Sequence, residues 1–119
     1  MTKVIIAGSR EFSDFQLLYS QCEEILKDKT EIEIVSGTAK GADKLGEHYA
    51  SLKGHSVARF PADWETHYRR AGFIRNQEMA DYGEMLIAFW DGESKGTKHM
   101  IDIAESKGLK IHVIIYNPS

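Results

Sequence analysis

The sequence has little cysteine, little proline and no long apolar run. Its single cysteine, Cys22, cannot form an internal disulfide, and no group of cysteines and histidines has the spacing of a zinc site. No stretch approaches the ~18 apolar residues of a membrane span, and the apolar run at residues 4–7 is far shorter than the core of a signal peptide. We therefore expect a protein of the reducing cytoplasm that is neither exported nor embedded in a membrane.

The sequence also has no excess of positive charge. Fifteen Lys and Arg stand against eighteen Asp and Glu, which gives a formal net charge of −3. Nothing in this balance favours a nucleic-acid backbone as partner, so no nucleic acid is expected. The five histidines lack metal-binding spacing, and neither a metal nor a cofactor is assigned.

Two phosphate-binding motifs are missing as well. There is no G-x-x-x-x-G-K-[ST], so an ATPase or GTPase of the P-loop class is not supported. There is also no G-x-G-x-x-G after the first apolar run, and the second run ends at Ser36, where an NAD-dependent dehydrogenase would have Asp or Glu. Hydride transfer with NAD therefore loses its usual sequence support.

What the sequence does contain is an alternation of short apolar runs and longer amphipathic segments. The runs, rich in Val, Ile and Phe, lie at residues 4–7, 32–35, 57–60, 85–89 and 111–115. Helical stripes of apolar residues lie at 15–26, 42–52, 71–82 and 97–107. Strands that are apolar on both faces and separated by helices form a parallel sheet that is covered on both sides.

These elements predict an α/β fold: one Rossmann-like domain over residues 1–119, a three-layer α/β/α sandwich with a five-stranded parallel sheet. The expected strand order is 3-2-1-4-5, because the long connection at residues 61–71 would let the chain cross to the other half of the sheet. Residues 117–119 are expected to be a short polar tail.

Three turns of this fold carry glycine together with hydroxyl and charged residues. In open α/β sheets the ligand lies beyond the carboxyl ends of the strands, and helix N-termini there attract anions. The residues expected to bind a ligand are Gly8, Ser9 and Arg10 after the first strand, Gly37, Thr38, Gly41, Ala42 and Asp43 after the second, and Asp91, Gly92, Ser94, Gly96 and Thr97 after the fourth. One such turn can be purely structural, but three together favour a phosphorylated ligand.

Arg75 and Asn76 interrupt the apolar stripe of residues 71–82. A guanidinium can clamp a phosphate through two hydrogen bonds, and a carboxamide can recognise a base edge or a sugar hydroxyl. The position of Arg75 favours a role at the site over a surface ion pair. Asp43 either accepts a ribose hydroxyl or only complements the dipole of its helix, and the sequence leaves both open.

Aromatic side chains offer surfaces on which a base could stack. Trp64, Tyr68 and Trp90 are the candidates. Trp90 is favoured among them because it directly precedes Asp91 and Gly92, although a tryptophan at the end of a strand is as often a packing residue.

Residues 6–10, 37–43, 71–79 and 88–97, in this order, resemble the SLOG superfamily and, more narrowly, its YspA and cpYpsA-related branch. The resemblance covers nearly the whole chain. That superfamily joins DprA-like proteins with the LOG-type phosphoribohydrolases. It implies a Rossmann-like fold and a nucleotide or nucleotide-derived ligand, which is sensed by some members and split at its N-glycosidic bond by others. It also implies self-association as a homodimer or a larger homo-oligomer.

The match to the LOG-type enzymes is incomplete. Gly96 and Thr97 correspond to the G-T of their P-G-G-x-G-T-x-x-E motif, and Arg75 corresponds to an upstream arginine, but Met100 stands in place of the glutamate. Methionine can neither stabilise an oxocarbenium-like transition state nor orient water. Two functions therefore stay open: binding of a nucleotide-derived ligand, or N-glycoside hydrolysis in which Arg75 clamps the anion and Asp43 or Asp91 supplies a displaced carboxylate.

Overall fold

The five strands form one parallel sheet in the computed structural model, which describes residues 1–117. The strands are β1 (Thr2–Gly8), β2 (Ile32–Ser36), β3 (Ser56–Arg59), β4 (Met85–Trp90) and β5 (Lys110–Ile115). They pair in the order β3-β2-β1-β4-β5, and every pairing is parallel. The predicted fold class and strand order are confirmed. The chain crosses from one edge to the other half of the sheet between β3 and β4, in the long connection where the sequence predicted it.

Helices cover both faces of this sheet. They are α1 (Phe15–Ile25), α2 (Ala42–Lys53), α3 (Trp64–His67), α4 (Ala71–Tyr82) and α5 (Lys95–Ser106), and a 3₁₀ turn (Tyr68–Arg70) joins α3 to α4. The sequence did not predict α3, because it has only four residues and none is buried, so it carries no apolar stripe. Helix α5 begins two residues before the predicted start, since the Ser94 side chain caps it by accepting the N–H of Thr97.

Two apolar cores lie on opposite faces of the sheet, and the side chains of β1 alternate between them. Val4 and Ile6 pack into the core beneath α1 and α2, whereas Ile5 and Ala7 pack into the core beneath α4 and α5. This arrangement leaves the carboxyl end of β1 between the two helical layers. Of the expected polar tail, residues 118 and 119 lie outside the described residues. Within residues 1–117, no helix has the length and apolar character that a membrane crossing requires.

Candidate functional site

A cavity of about 290 Å³ lies at the carboxyl end of β1, between α4 and α5. We call it the first cavity. Strand β1 has β2 on one side and β4 on the other, so the cavity occupies the point where the strand order reverses. The predicted residues that line it are Gly8, Arg10, Asp43, Arg75, Asn76, Ser94, Gly96 and Thr97. The structure thus brings together residues from all three glycine turns and from α4.

A second cavity, of about 340 Å³, adjoins the first. Among the predicted residues, Gly37 and Thr38 line only this second cavity. Arg10 and Arg75, together with Trp64, line both cavities. These side chains therefore form the wall that the two cavities share.

Arg75 reaches from α4 to the loop after β2. Its Nη1 donates a hydrogen bond to the carbonyl of Gly37, and its Nε donates to the Asn76 side chain at 3.1 Å. A Cβ at Gly37 would lie 2.6 Å from Arg75 Nη1 and 2.7 Å from Asp43 Oδ2. Arg75 and Asp43 therefore face each other across a glycine that leaves no room for a side chain. Burial lowers the pKa of Arg75, and the charge of Asp43 opposes that shift.

Asp43 lies in the first turn of α2 and is only 5% exposed. Its Oδ2 accepts the N–H of Ala39 at 3.2 Å. Burial raises the pKa of Asp43 to about 6, while the Ala39 N–H and the charge of Arg75 limit the rise. A carboxyl group with such a pKa can exchange a proton near neutral pH, which a merely dipole-complementing aspartate on a helix surface would not do.

Asn76 connects Arg75 to α5. Its side chain is 7% exposed, and its Nδ2 lies 3.4 Å from the carbonyl oxygen of Gly96 and 3.1 Å from His99 Nδ1. Burial lowers the pKa of His99, which favours the neutral ring that can accept from an amide. The amide of Asn76 is thus occupied by protein groups and fixes the distance between α4 and the first turn of α5.

The loop after β2 is held by groups from outside the loop. Thr38 has a φ of 64°, which is unusual for a β-branched residue. Its N–H donates to Ser36 Oγ at 3.0 Å, and Ser36 Oγ donates to Glu47 Oε2 at 2.6 Å. Glu47 also accepts from Arg59 Nε at 3.1 Å. No sequence pattern indicates this support, because Glu47 is an ordinary polar position on α2.

The loop after β4 closes on itself. Asp91 Oδ1 accepts the N–H of Glu93 at 2.9 Å and that of Ser94 at 2.8 Å, and these bonds lower the pKa of Asp91. Trp90 Nε1 donates to the carbonyl of Ser94 at 3.0 Å. Neither Asp91, Gly92 nor Trp90 lines the two cavities. The structure therefore gives these three predicted residues a role in the shape of the loop instead of bringing them to the cavities.

Three more predicted residues join the loops to each other. Gly41 has a φ of 78°, and a Cβ there would lie 2.4 Å from the carbonyl oxygen of Ser9. Ala42 donates its N–H to the same oxygen at 3.4 Å. Ser9, Gly41 and Ala42 line neither cavity, and their close packing leaves no space for a ligand between them.

Sequence reasoning named Trp64 only as a stacking candidate, and it missed several other residues of the first cavity: Arg69, Phe73, Met79 and Met100. Trp64 and Arg69 both lie within residues 61–71, the segment that was expected to be a long connection. Met79 and Met100 are 1% exposed and belong to the apolar stripes of their helices, which predict burial and give no sign of a cavity beside them. Within residues 1–117, no three His, Cys, Asp or Glu side chains come together as a metal site would need.

A parallel sheet with a charged cavity where its strand order reverses defines a Rossmann-like α/β domain. The model of the YspA, cpYpsA-related SLOG family matches residues 2–67, which is more than half of the chain. The Gene 61 protein of Mycobacterium phage D29 is 32% identical over 118 residues, an alignment that covers 93% of this chain and 94% of that protein. The chain belongs to the YspA, cpYpsA-related SLOG family.

The fold is also similar to that of DNA processing protein A (DprA) from Streptococcus pneumoniae, with a TM-score of 0.76 and 18% sequence identity. The match covers 98% of this chain and 51% of that one, so the chain spans about half the length of the solved protein. At this identity the similarity shows the fold alone.

Proposed function

We propose that the protein binds a nucleotide or a nucleotide-derived phosphorylated ligand in the first cavity. The observation that carries the proposal is the partly buried guanidinium of Arg75. It makes hydrogen bonds to a carbonyl and to an amide oxygen, but no carboxylate of residues 1–117 forms an ion pair with it. A charge taken out of water is destabilising unless it is paired. Asp43 faces the guanidinium without forming an ion pair with it, and an anionic ligand would supply a direct counter-charge.

The other groups around the first cavity support an anion. Arg10, Arg69 and Arg75 line it, whereas Asp43 is the single side-chain carboxylate among residues 1–117 that does so. The first turn of α5 adds the backbone amides of a helix N-terminus, and Ser94 and Thr97 add hydroxyl groups. Guanidinium groups and helix amides are the donors that recognise phosphate most often.

A second function, hydrolysis of an N-glycosidic bond, is favoured by Asp43. Its carboxyl group lines the first cavity, and its pKa of about 6 suits a group that gives or takes a proton near neutral pH. Met100 lines the same cavity, so the position of the LOG-type glutamate offers no carboxylate. In this reaction Arg75 would hold the phosphate, and Asp43 would stabilise the developing positive charge on the sugar or orient the attacking water.

The test is a calorimetric titration of the purified protein with AMP and with ADP-ribose. We expect saturable binding and a rise in melting temperature with ligand. Arg75→Ala should weaken binding at least tenfold, because a charge-assisted bond to phosphate is lost. Arg70→Ala is the matched control, since Arg70 is exposed and lines neither cavity. Absence of heat and of any thermal shift at millimolar ligand would refute the proposal.

The same samples decide between binding and hydrolysis. If the protein is an N-glycosidase, free base accumulates over time, and Asp43→Asn stops its release while AMP still binds. If it is a binding protein, AMP is recovered intact after long incubation.

We further propose that the protein works in the cytoplasm and associates with copies of itself. The buried, unpaired Cys22 is compatible with a reducing compartment. Sedimentation at several protein concentrations, with and without AMP, tests the self-association.

A further inference from the structure

The first cavity has an apolar side that the phosphate-binding groups do not explain. Its floor is formed by Ala7, Met79 and Met100, which are all buried. Trp64 and Phe73 also line it, and they are 51% and 49% exposed. A cavity lined by buried apolar side chains and by two half-exposed aromatic residues is the environment that a flat, largely apolar group would fill.

The two aromatic side chains are held in different ways. Phe73 lies in α4, and its ring contacts the His99 ring with centroids 4.5 Å apart. Trp64 begins α3, a helix in which no residue is buried. Its indole ring borders both cavities, and a Cβ built at Gly72 would lie 3.8 Å from its Cη2. About half of the Trp64 side chain is therefore exposed and available to contact a planar group of a ligand.

The lining of the same cavity combines two kinds of chemical group. Arg75, Ser94 and Thr97 supply the donors for an anion, whereas Trp64 and Phe73 supply apolar faces. A nucleotide has this same division between an anionic phosphate and a planar base. A volume of about 290 Å³ fits a small molecule, and a folded protein partner could not enter it.

We propose that Trp64 and Phe73 form the base-binding part of the site, with Trp64 as the stacking surface and the phosphate directed towards Arg75 and α5. This inference rests on the proposed function and adds the orientation of the ligand and the requirement for a planar base. It moves the stacking role from Trp90, which is bonded to Ser94 outside both cavities, to Trp64.

The test compares two probes, AMP and ribose 5-phosphate, which differ only in the base. In the unmodified protein AMP should bind at least tenfold more tightly, because stacking of a base on an aromatic ring typically contributes that much. Trp64→Ala should reduce the affinity for AMP about tenfold and leave that for ribose 5-phosphate unchanged. Trp64→Phe keeps an aromatic ring and should retain most of the AMP affinity.

Tyr68→Ala is the matched control for Trp64→Ala. Tyr68 is a neighbouring aromatic residue that is 74% exposed and lines neither cavity, so its loss should leave both affinities unchanged. Fluorescence gives a second readout. The chain has two tryptophans. The tryptophan emission of the unmodified protein should change when AMP binds, and this change should largely disappear in Trp64→Phe.

Each outcome separates the two proposals. If AMP and ribose 5-phosphate bind equally well and Trp64→Ala changes neither, the protein binds a phosphorylated sugar and the base site is wrong. If Trp64→Ala weakens both probes equally, Trp64 shapes the cavity and does not contact a base. If neither probe binds the unmodified protein, the proposed function fails and the base site fails with it.

Discussion

The loops after β2 and β4 differ in how their shape is maintained. Both lead from a buried strand into a helix, and both contain glycine and a hydroxyl residue. The loop after β4 is fixed by Asp91, which is one of its own residues. The loop after β2 is fixed by Arg75 of α4 and, through Ser36, by Glu47 of α2.

This difference separates a structural loop from one that is tied to the site. A loop that satisfies its own amides keeps its shape whatever occupies the cavity. A loop that depends on a partly buried arginine and faces a buried aspartate is coupled to any ligand that changes the charge around those two groups. Substitutions in the loop after β2 should therefore affect ligand binding. Substitutions of Asp91 and Gly92 in the loop after β4, which line neither cavity, should affect stability alone.

The largest effect is expected from Gly37→Ala. The added methyl group would lie 2.6 Å from Arg75 Nη1 and 2.7 Å from Asp43 Oδ2, so both side chains must move. We expect the Kd for AMP to rise more than tenfold and the free energy of unfolding to fall by about 1–3 kcal/mol, as in other overpacked sites. Calorimetric titration and urea denaturation measure the two quantities.

Gly92→Ala in the loop after β4 is the counterpart. A Cβ there meets no atom within 4 Å, although Gly92 has a φ of 84°. This variant should lose some stability and keep its affinity for AMP. If both glycine variants lose affinity equally, the distinction between the loops is wrong.

The second prediction concerns pH and the two aspartates. Burial raises the pKa of Asp43 from 3.8 to about 6, so its neutral form fits the folded state better. Its contribution to stability is fully present below about pH 4 and is lost as the pH rises through about 6. Asp43→Asn should match the unmodified protein near pH 4 and exceed it above pH 6, by at most about 3 kcal/mol. Urea denaturation at a series of pH values measures this gap.

Asp91→Asn should show the opposite trend. Hydrogen bonds from Ser94 and Glu93 lower the pKa of Asp91, so its charged form stabilises the folded protein above about pH 4. The variant should melt at a lower temperature than the unmodified protein at neutral pH. The difference should vanish as the pH falls below the lowered pKa. Parallel pH profiles for Asp43→Asn and Asp91→Asn would contradict the structural contrast.

The fold could be predicted from the sequence because the strands are short apolar runs that are easy to recognise. Strands β1 and β4 are apolar on both faces, and the connection at residues 61–71 is long enough to let the chain cross to the other half of the sheet, as it does. The sequence also predicted that Arg75 would reach the site, because a charged side chain within the apolar stripe of a helix is destabilising unless it contacts a polar or charged group.

The contacts within the site were beyond prediction. The approach of Arg75 to Asp43 depends on the path of the backbone at Gly37, and hydrophobic patterns do not specify loop conformations. Trp64 was undervalued because α3 buries nothing. Asp91 lies outside both cavities and closes a turn, which the sequence did not indicate, because an aspartate that closes a turn and one that faces a ligand look the same in a sequence.

The smallest effect is expected from Thr38→Gly, which tests whether the loop after β2 carries backbone strain. Thr38 has a φ of 64°, a conformation that destabilises an L-residue by about 1–2 kcal/mol, and glycine adopts it freely. Glycine also gains more entropy on unfolding, about 0.5–1 kcal/mol, so a net stabilisation of up to about 1.5 kcal/mol should remain. Gly92→Ala, measured in the same denaturation series, should change stability in the opposite direction. A clear loss of stability in Thr38→Gly would mean that contacts of the threonine side chain stabilise the loop by more than the backbone strain destabilises it. In that case the bonds from Arg75 and Ser36 would not be what holds the loop in its strained conformation.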